Sequence, residues 1–273
     1  MASASSIIAW SFTGSRSIAN VEQQPRLTFR AARRIAGLLL LFLLIAPLHV
    51  LTKLLFGRSG WPRRFLAAAT RAIGVRVTVR GRPARQHTLL VANHLSWLDI
   101  VILGCATNCT FVSKDELGHG LLHWLADQNQ TVYVKRSHRK GAKEQAITVA
   151  KSLEGEKPVT VFAEGTTGPG THLLPFRSTL LEAANFAAKD VEVRPLALDY
   201  GAATVDVAWH EESGASNAMR QLSRRGVLPV SVHLLDPLDR SLDRKQLAAA
   251  ARAAVAQKLG FKSDVQSPID VAE

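Results

Sequence analysis

Two side chains that could transfer a proton, His94 and Asp99, lie five residues apart in the stretch 91–100. The apolar run 89–92 predicts a buried strand before them, and a helix is expected to begin after Ser96 as its cap. On the turn between strand and helix, the carboxylate can hold one tautomer of the imidazole, so the other ring nitrogen can accept a proton from an alcohol. The pair indicates a general base, although this spacing alone is more typical of surface or capping residues.

A second set of polar residues, Glu164, Gly165 and Thr166, follows an apolar strand candidate at 159–163. Glycine lets the backbone approach an anion closely, and threonine supplies a local hydrogen-bonding group. Donors at this turn could therefore stabilise an oxyanion or bind a phosphate.

Together, the pattern Asn93-His94-x-x-x-x-Asp99 and the pattern Phe162-x-Glu164-Gly165-Thr166 resemble two signature blocks of the glycerolipid acyltransferase family, of the lysophosphatidate type. The similarity covers roughly residues 60–235. It implies transfer of an acyl group from acyl-CoA or acyl carrier protein to a lysolipid hydroxyl. In this comparison His94 is the base, Asp99 orients it, and no cofactor is needed. The acceptor that the resemblance implies first is 1-acylglycerol 3-phosphate, which would give phosphatidate.

Two arginines are candidates for binding the acceptor's phosphate. Arg136 follows a short strand candidate at 131–134, where the family has a block that helps to bind this phosphate, and Arg177 matches a position that is often basic in the family. One position departs from the family, because Thr167 stands where many members have arginine. This departure leaves open another lysolipid acceptor, such as lyso-ornithine lipid.

Other site chemistries lack their key residues in this sequence. His119 and His123 have a spacing that could hold a metal on a helix, but position 120 is not Glu and no third ligand is evident, so no metal is expected. The nucleophile elbow of hydrolases, the phosphate-binding loop of NTPases and the dinucleotide fingerprint of dehydrogenases are absent.

The positive charge of the chain is concentrated in its first third. Residues 23–98 contain thirteen Lys or Arg and no Asp or Glu, whereas the rest of the chain has 21 basic and 22 acidic residues. A surface of this kind suits anionic lipid, so a non-catalytic protein that binds anionic membranes is the alternative from another class. Nucleic acid is not an expected partner, because an apolar segment adjoins these charges and few aromatic residues lie among them.

The apolar segment 35–51 predicts contact with a lipid bilayer. At 1.5 Å per residue it is slightly short of a hydrocarbon core of about 30 Å. Basic residues flank it on both sides, so insertion into one leaflet from the cytoplasmic face of the inner membrane fits better than a span. A buried core helix is the remaining alternative. The two cysteines form no disulfide framework, which also favours the cytosolic side.

Strand and helix patterns alternate from residue 75 onward and predict an α/β fold, with a mixed, largely parallel sheet covered by helices. We divide the chain into a basic tail (1–34), a membrane-associated apolar segment (35–55), an acyltransferase domain (56–261) and a loosely ordered C-terminal tail (262–273). A further helix is predicted at 62–73. The remaining strands are predicted at 75–79, 110–113, 191–200, 204–209 and 227–234, and the remaining helices at 97–105, 116–126, 142–153, 178–189 and 244–259.

Overall fold

A computed structural model describes residues 27–114, 120–134, 141–188 and 190–261. The predicted C-terminal tail (262–273) and most of the predicted N-terminal tail lie outside these ranges. The strands within them are β1 (Val75–Arg80), β2 (Thr88–Ala92), β3 (Thr110–Lys114), β4 (Val132–Val134), β5 (Val159–Phe162), β6 (Glu192–Asp199) and β7 (Leu228–Leu234). They form one sheet in the order β1-β7-β6-β2-β5-β3-β4. All neighbouring pairs are parallel except β6 and β7, which confirms the mixed, largely parallel sheet.

Helices cover both faces of this sheet. They are α1 (Phe29–Phe56), α2 (Trp61–Ile73), α3 (Leu98–Thr107), α4 (Leu121–Gln128), α5 (Ala142–Leu153), α6 (Ala183–Phe186), α7 (Thr204–Val207), α8 (Gly214–Ser223) and α9 (Arg244–Leu259). One apolar core lies between the sheet and α1, α2, α3 and α8. The other lies between the sheet and α5, α6 and α9. The result is the three-layer arrangement that parallel strands require, because both faces of such a sheet are buried.

The chain after β6 differs from the prediction. A strand at 204–209 is wrong, because α7 occupies Thr204–Val207. Val205 and Val207 alternate in sequence as in a strand, but the helical turn buries Val207 and leaves Val205 59% exposed. The predicted helix at 178–189 is shorter, with a 3₁₀ turn at Thr179–Glu182 followed by α6. Helix α8 was not predicted.

Helix α1 is longer than the predicted apolar segment, because it also includes the arginine-rich turns before residue 35. Thr28 caps its N-terminus and Gly57, with a φ of 68°, ends it. It has the length and apolar composition needed to cross a membrane, and only 6% of its most apolar 18-residue window is buried. The exposed large apolar residues along it are Phe29, Leu39, Leu40, Leu43, Leu44, Leu48, Val50, Leu51, Leu54, Leu55 and Phe56. This exposure contradicts the core-helix alternative and favours association with a membrane.

The parallel pairing of β2 with β5 positions the two sequence motifs. Ala92, the last residue of β2, is in register with Phe162, the last residue of β5. His94 and Glu164 follow these strands, so the two motifs meet at the carboxyl edge of the sheet. This edge is where open α/β sheets place their ligand sites.

Candidate active site

His94 lies on the turn between β2 and α3 and contacts Asp99 as the sequence predicts. Its Nδ1 lies 2.8 Å from Asp99 Oδ2. The His94 side chain is 17% exposed, whereas that of Asp99 is fully buried. Nε2 of His94 has no hydrogen-bond partner among the described residues. The ring can therefore donate from Nδ1 to the carboxylate while Nε2 is available to a substrate.

The carboxylate of Asp99 is held by three further donors. The backbone N–H groups of Leu95 and Ser96 donate to Oδ2 at 2.6 Å and 3.0 Å. The hydroxyl of Tyr200 donates to Oδ1 at 2.5 Å. The helix begins at Leu98 with Trp97 as its N-cap residue, so the predicted Ser96 cap is wrong by one position. These bonds hold the Asp99 carboxylate in the orientation in which Oδ2 bonds to His94.

Glu164 joins the two motifs through backbone hydrogen bonds. One carboxylate oxygen accepts the N–H of His94 at 2.8 Å, and the other accepts the N–H of Leu174 at 2.9 Å. Glu164 is only 3% exposed. Burial raises the pKa of Glu164, and the two backbone N–H groups and His94 oppose this increase. Both oxygens accept backbone N–H groups, so this side chain orders the turn that carries His94.

The remaining contacts of His94 also come from β5 and the turn after it. The imidazole stacks on the Phe162 ring with centroids 4.0 Å apart. The N–H of Gly168 donates to the carbonyl of His94 at 2.8 Å. A Cβ at Gly168 would lie 2.9 Å from an oxygen of Glu164, so only glycine fits without a shift. Gly165 adopts a φ of 72°, which favours glycine at the centre of this turn.

The predicted acceptor-binding residues have different surroundings. Arg177 is exposed, and its guanidinium side chain lies beside Gly165, since a Cβ there would be 3.0 Å from Nε. Thr166 is exposed. Thr167 is partly buried, and its hydroxyl donates to the carbonyl of Trp209 at 2.6 Å. Arg136 lies outside the described residues.

Three buried side chains hold the turn that carries His94, and two of them, Asn217 and Tyr200, were not identified from the sequence, whereas Asn93 belongs to the first motif. Asn93 pairs with the backbone of Leu198, accepting its N–H at 2.8 Å and donating to its carbonyl at 3.1 Å. Asn217 accepts a bond from the Ser96 hydroxyl at 3.4 Å. Tyr200 reaches Asp99 from more than one hundred residues away. Periodicity gives no signal for such contacts, although an Asn directly before the histidine could have suggested a strand-end cap.

A cavity of about 350 Å³ lies beside the turn that carries His94. Asn93, Leu95 and Glu164 line it together with residues after β6 and at the end of α9. In the described ranges no group of three or more His, Cys, Asp or Glu could hold a metal ion. His119 lies outside those ranges, and His123 stacks on Tyr133. The chemistry that this arrangement can perform is proton transfer at Nε2 of His94, with Asp99 stabilising the imidazolium.

Comparison with known proteins agrees with this geometry. The family described as Acyltransferase matches residues 76–199. A lyso-ornithine lipid O-acyltransferase of Rhodobacter capsulatus is 34% identical over 70% of this chain and 72% of its own length. A 1-acyl-sn-glycerol-3-phosphate acyltransferase of Neisseria gonorrhoeae is 31% identical over 56% of each chain.

The fold also has a counterpart among solved structures. The 1-acyl-sn-glycerophosphate acyltransferase PlsC of Thermotoga maritima superposes with a TM-score of 0.58 at 22% identity, over 85% of this chain and 97% of the other. The resemblance found in the sequence is thereby confirmed. This chain belongs to the acyltransferase family that includes the lysophosphatidate-type enzymes, and it is an O-acyltransferase.

Proposed function

We propose that the protein transfers an acyl group from a thioester to the free hydroxyl of a lysolipid, with His94 as the general base. The observation that carries this proposal is the bond between His94 Nδ1 and the buried Asp99, with Nε2 left available on a partly exposed turn. An imidazole held in this way is oriented to take a proton from an alcohol.

The reaction needs no covalent enzyme intermediate. His94 Nε2 takes the proton of the acceptor hydroxyl while its oxygen forms a bond to the thioester carbonyl carbon. The resulting tetrahedral intermediate collapses, the carbon–sulfur bond breaks, and the departing sulfur takes the proton back from His94. Asp99 accepts the Nδ1–H throughout and stabilises the imidazolium while remaining ionised.

The turn after Gly165 is our candidate for the oxyanion site. The backbone N–H groups of Thr166 and Thr167 have no acceptor in the part of the chain that the structure describes, and Thr166 is exposed. Preorganised N–H donors are suited to the charge that develops on a tetrahedral oxygen.

We propose lyso-ornithine lipid, whose headgroup is zwitterionic and carries no phosphate, as the acceptor. Thr167 cannot form the bidentate pair that arginine makes with a phosphate, and its hydroxyl is already bonded to Trp209. The similarity to a lyso-ornithine lipid enzyme over 72% of that enzyme's length supports this choice.

The second candidate acceptor is 1-acylglycerol 3-phosphate. Arg177 favours it, because this exposed guanidinium beside Gly165 has no ion-pair partner among the described residues. Arg136 would be the second cation in this case. The similar Neisseria gonorrhoeae enzyme acts on this acceptor by its name, and the match covers 56% of that enzyme.

We further propose that α1 lies in the plane of one leaflet on the cytoplasmic face. The helix contacts the domain at both of its ends. Arg30 and Arg34 donate to carbonyls at the end of α8, and His49 and Lys53 contact Gln128 of α4. A helix attached along its length to a polar domain cannot cross the bilayer without burying that domain, and basic flanks on both sides favour the cytosol.

A panel of acceptors and donors tests this function. The purified full-length chain is incubated with a labelled acyl donor, either acyl-CoA or acyl carrier protein that carries an acyl group. The acceptor is lyso-ornithine lipid, 1-acylglycerol 3-phosphate or lysophosphatidylethanolamine. We expect labelled ornithine lipid with at least one donor. The His94→Ala variant should lose about 10²- to 10⁴-fold in kcat, the usual contribution of a general base.

The Asp99→Asn variant serves as the matched comparison, because it keeps the side chain's shape while favouring the wrong imidazole tautomer. Full activity of a folded His94→Ala protein would exclude the mechanism. If the chain acylates only 1-acylglycerol 3-phosphate, this second candidate is the acceptor and lyso-ornithine lipid is excluded.

A further inference from the structure

Tyr200 is a buried phenol that contacts the acid–base pair from the end of the neighbouring strand. It directly follows β6 and is 2% exposed. Its hydroxyl donates to Oδ1 of Asp99 at 2.5 Å, while His94 and two backbone N–H groups occupy Oδ2. The two carboxylate oxygens thus have different side-chain partners, since Oδ2 binds the imidazole and Oδ1 binds the phenol.

We propose that Tyr200 is a positioning residue that acts on His94 through Asp99, as the third member of a hydrogen-bonded chain in which only His94 exchanges a proton. This inference rests on the proposed role of His94 as the base. Tyr200 does not contact substrate. It fixes the rotation of the Asp99 carboxylate and takes up part of its negative charge.

The surroundings of Tyr200 keep it in the protonated, donating form. Burial, together with the charge of Asp99 and the hydrogen bond to it, raises the pKa of Tyr200 well above its ordinary value. The phenol therefore donates at every pH at which the enzyme would work. Glu164, on the turn after β5, is a further titratable side chain with an electrostatic interaction with both His94 and Asp99.

Removal of the phenol has an effect of definite sign on the pH profile. Without this donor the charge of Asp99 acts more fully on His94, so the protonated imidazole becomes more favourable. A general base must be neutral to act, so the acidic limb of kcat/KM should move to higher pH. The plateau should also fall, because the carboxylate is no longer fixed in rotation.

The Tyr200→Phe variant of the full-length chain tests this directly. We expect the acidic limb to move to higher pH by roughly 0.5 to 1 pH unit, because only part of the energy of one hydrogen bond to a charged group acts on His94. We expect kcat on the plateau to fall by about tenfold. Tyr133→Phe is the matched control, because Tyr133 also donates to an aspartate, Asp127, at 2.8 Å, but on the exposed surface. Its profile should equal that of the unmodified chain.

A second measurement uses the fact that the chain has two tyrosines. In the Tyr133→Phe background, incorporated 3-fluorotyrosine occupies position 200 alone. The fluorinated phenol is a stronger donor of nearly the same size, so it should move the acidic limb to lower pH. Opposite movements with the two substitutions are not expected from a residue that only fills space, and this measurement remains available if Tyr200→Phe does not fold.

An acidic limb at the same pH in the unmodified chain and the Tyr200 variants would overturn the inference, whatever happens to kcat or to the melting temperature. The proposed function fails in a different way. It fails if the unmodified chain acylates no lysolipid, or if His94→Ala is fully active. A titration of the labelled His94 imidazole by NMR, in Tyr200→Phe and in the unmodified chain, tests this hydrogen-bonded chain without any substrate. The imidazole should titrate at higher pH in Tyr200→Phe than in the unmodified chain.

Discussion

His94 and Asp99 differ in exposure in the way that the proposed base and its orienting carboxylate require. The imidazole is partly accessible, so a substrate hydroxyl can reach Nε2, whereas the carboxylate is completely buried and meets four donors. A buried charge is costly unless such partners are present. The donors around Asp99 therefore make an ionised carboxylate possible at this position, and the carboxylate in turn holds the histidine.

Local spacing and the resemblance to the family identified this pair from the sequence, but not the residues that hold it. His94 and Asp99 are five positions apart, so a local turn brings them together and the sequence can be interpreted directly. Tyr200 meets Asp99 only because β2 and β6 are neighbours in the sheet. A strand order cannot be worked out from hydrophobic patterns, so a phenol 101 residues from its acceptor gives no signal.

Arg177 distinguishes the two candidate acceptors. If the acceptor carries a phosphate, Arg177→Ala should lower kcat/KM about 10- to 150-fold, because a hydrogen bond to a charged group contributes about 1.5 to 3 kcal/mol. The decrease should be confined to kcat/KM for 1-acylglycerol 3-phosphate. The value of kcat/KM for lyso-ornithine lipid and the KM of the acyl donor should change little. Steady-state kinetics with both acceptors measures the difference.

Arg240→Ala is the matched control for that experiment, because Arg240 is exposed and pairs with Asp190 at 2.8 Å on the surface. This control should leave both acceptors unaffected. Unchanged turnover of 1-acylglycerol 3-phosphate by the Arg177→Ala variant would exclude Arg177 as a phosphate ligand.

At the scale of elements, Glu164 connects the turn after β2 to the loop after β5. Its two oxygens accept the backbone N–H groups of His94 and Leu174. The amide of Glu164→Gln can accept only one of them, so one buried donor is left unsatisfied at a cost of about 1 to 3 kcal/mol. We expect the melting temperature to fall by roughly 2 to 12 °C and kcat to decrease. Thermal unfolding and acyl transfer are measured on the same preparation.

Glu154→Gln provides the comparison, because Glu154 also accepts a backbone N–H, that of Ala188 at 3.3 Å, but on the surface. Both measurements should be unchanged in this variant. A Glu164→Gln protein with an unaltered melting temperature would contradict the connecting role of the carboxylate.

Helix α1 is attached to the domain by a buried arginine. Arg34 is 7% exposed and donates to the carbonyls of Gln221 and Leu222 at 3.2 Å and 3.0 Å. Arg34→Ala should leave these carbonyls without that donor and lower the free energy of unfolding by about 1.5 to 3 kcal/mol. Protease should then cut between α1 and the domain more rapidly in detergent solution.

Arg33→Ala removes the same charge from an exposed neighbouring position and should have little effect on unfolding or proteolysis. Equal behaviour of the two variants would mean that charge, rather than the buried contact, attaches α1.

Elements with a clear pattern were predicted best. The helix at 142–153 agrees with α5, since a long periodic pattern specifies it, and the strand at 89–92 agrees with β2, since a continuous apolar run specifies it. Helix α7 has four residues, which is too short to show a helical period, and its alternating valines are typical of a strand. Helix α8 begins at Gly214 after a Ser213 cap. Because the sequence predicts a strand at 204–209, it gives no reason to expect a helix to begin so soon afterwards.

At the scale of the whole molecule, the site and the membrane helix share one layer. Helices α1, α2, α3 and α8 contribute to the same apolar core, and α3 begins at the catalytic turn. If α1 lies on the membrane surface, the turn before α3 that carries His94 therefore adjoins the layer that contains the membrane-bound helix. The orientation of α1 decides whether this arrangement holds.

Labelling with an impermeant maleimide distinguishes an in-plane helix from a span. Single cysteines are introduced by Leu27→Cys before α1, Arg58→Cys after it and Lys245→Cys on the exposed surface of α9, all at exposed positions. In sealed inverted inner-membrane vesicles, an in-plane α1 should leave all three accessible without detergent. Burial raises the pKa of the native Cys105 and Cys109 thiols, so both should react slowly and the unmodified chain serves as the background.

A spanning α1 gives a different pattern, because the two ends of a 28-residue helix of about 42 Å would then face opposite sides of the bilayer. Leu27→Cys would be labelled only after detergent, while Arg58→Cys and Lys245→Cys would be labelled before it. That outcome would contradict the in-plane arrangement. It would also require the contacts of Arg34 with α8 and of His49 with Gln128 to break on insertion, since they hold both halves of α1 against the domain.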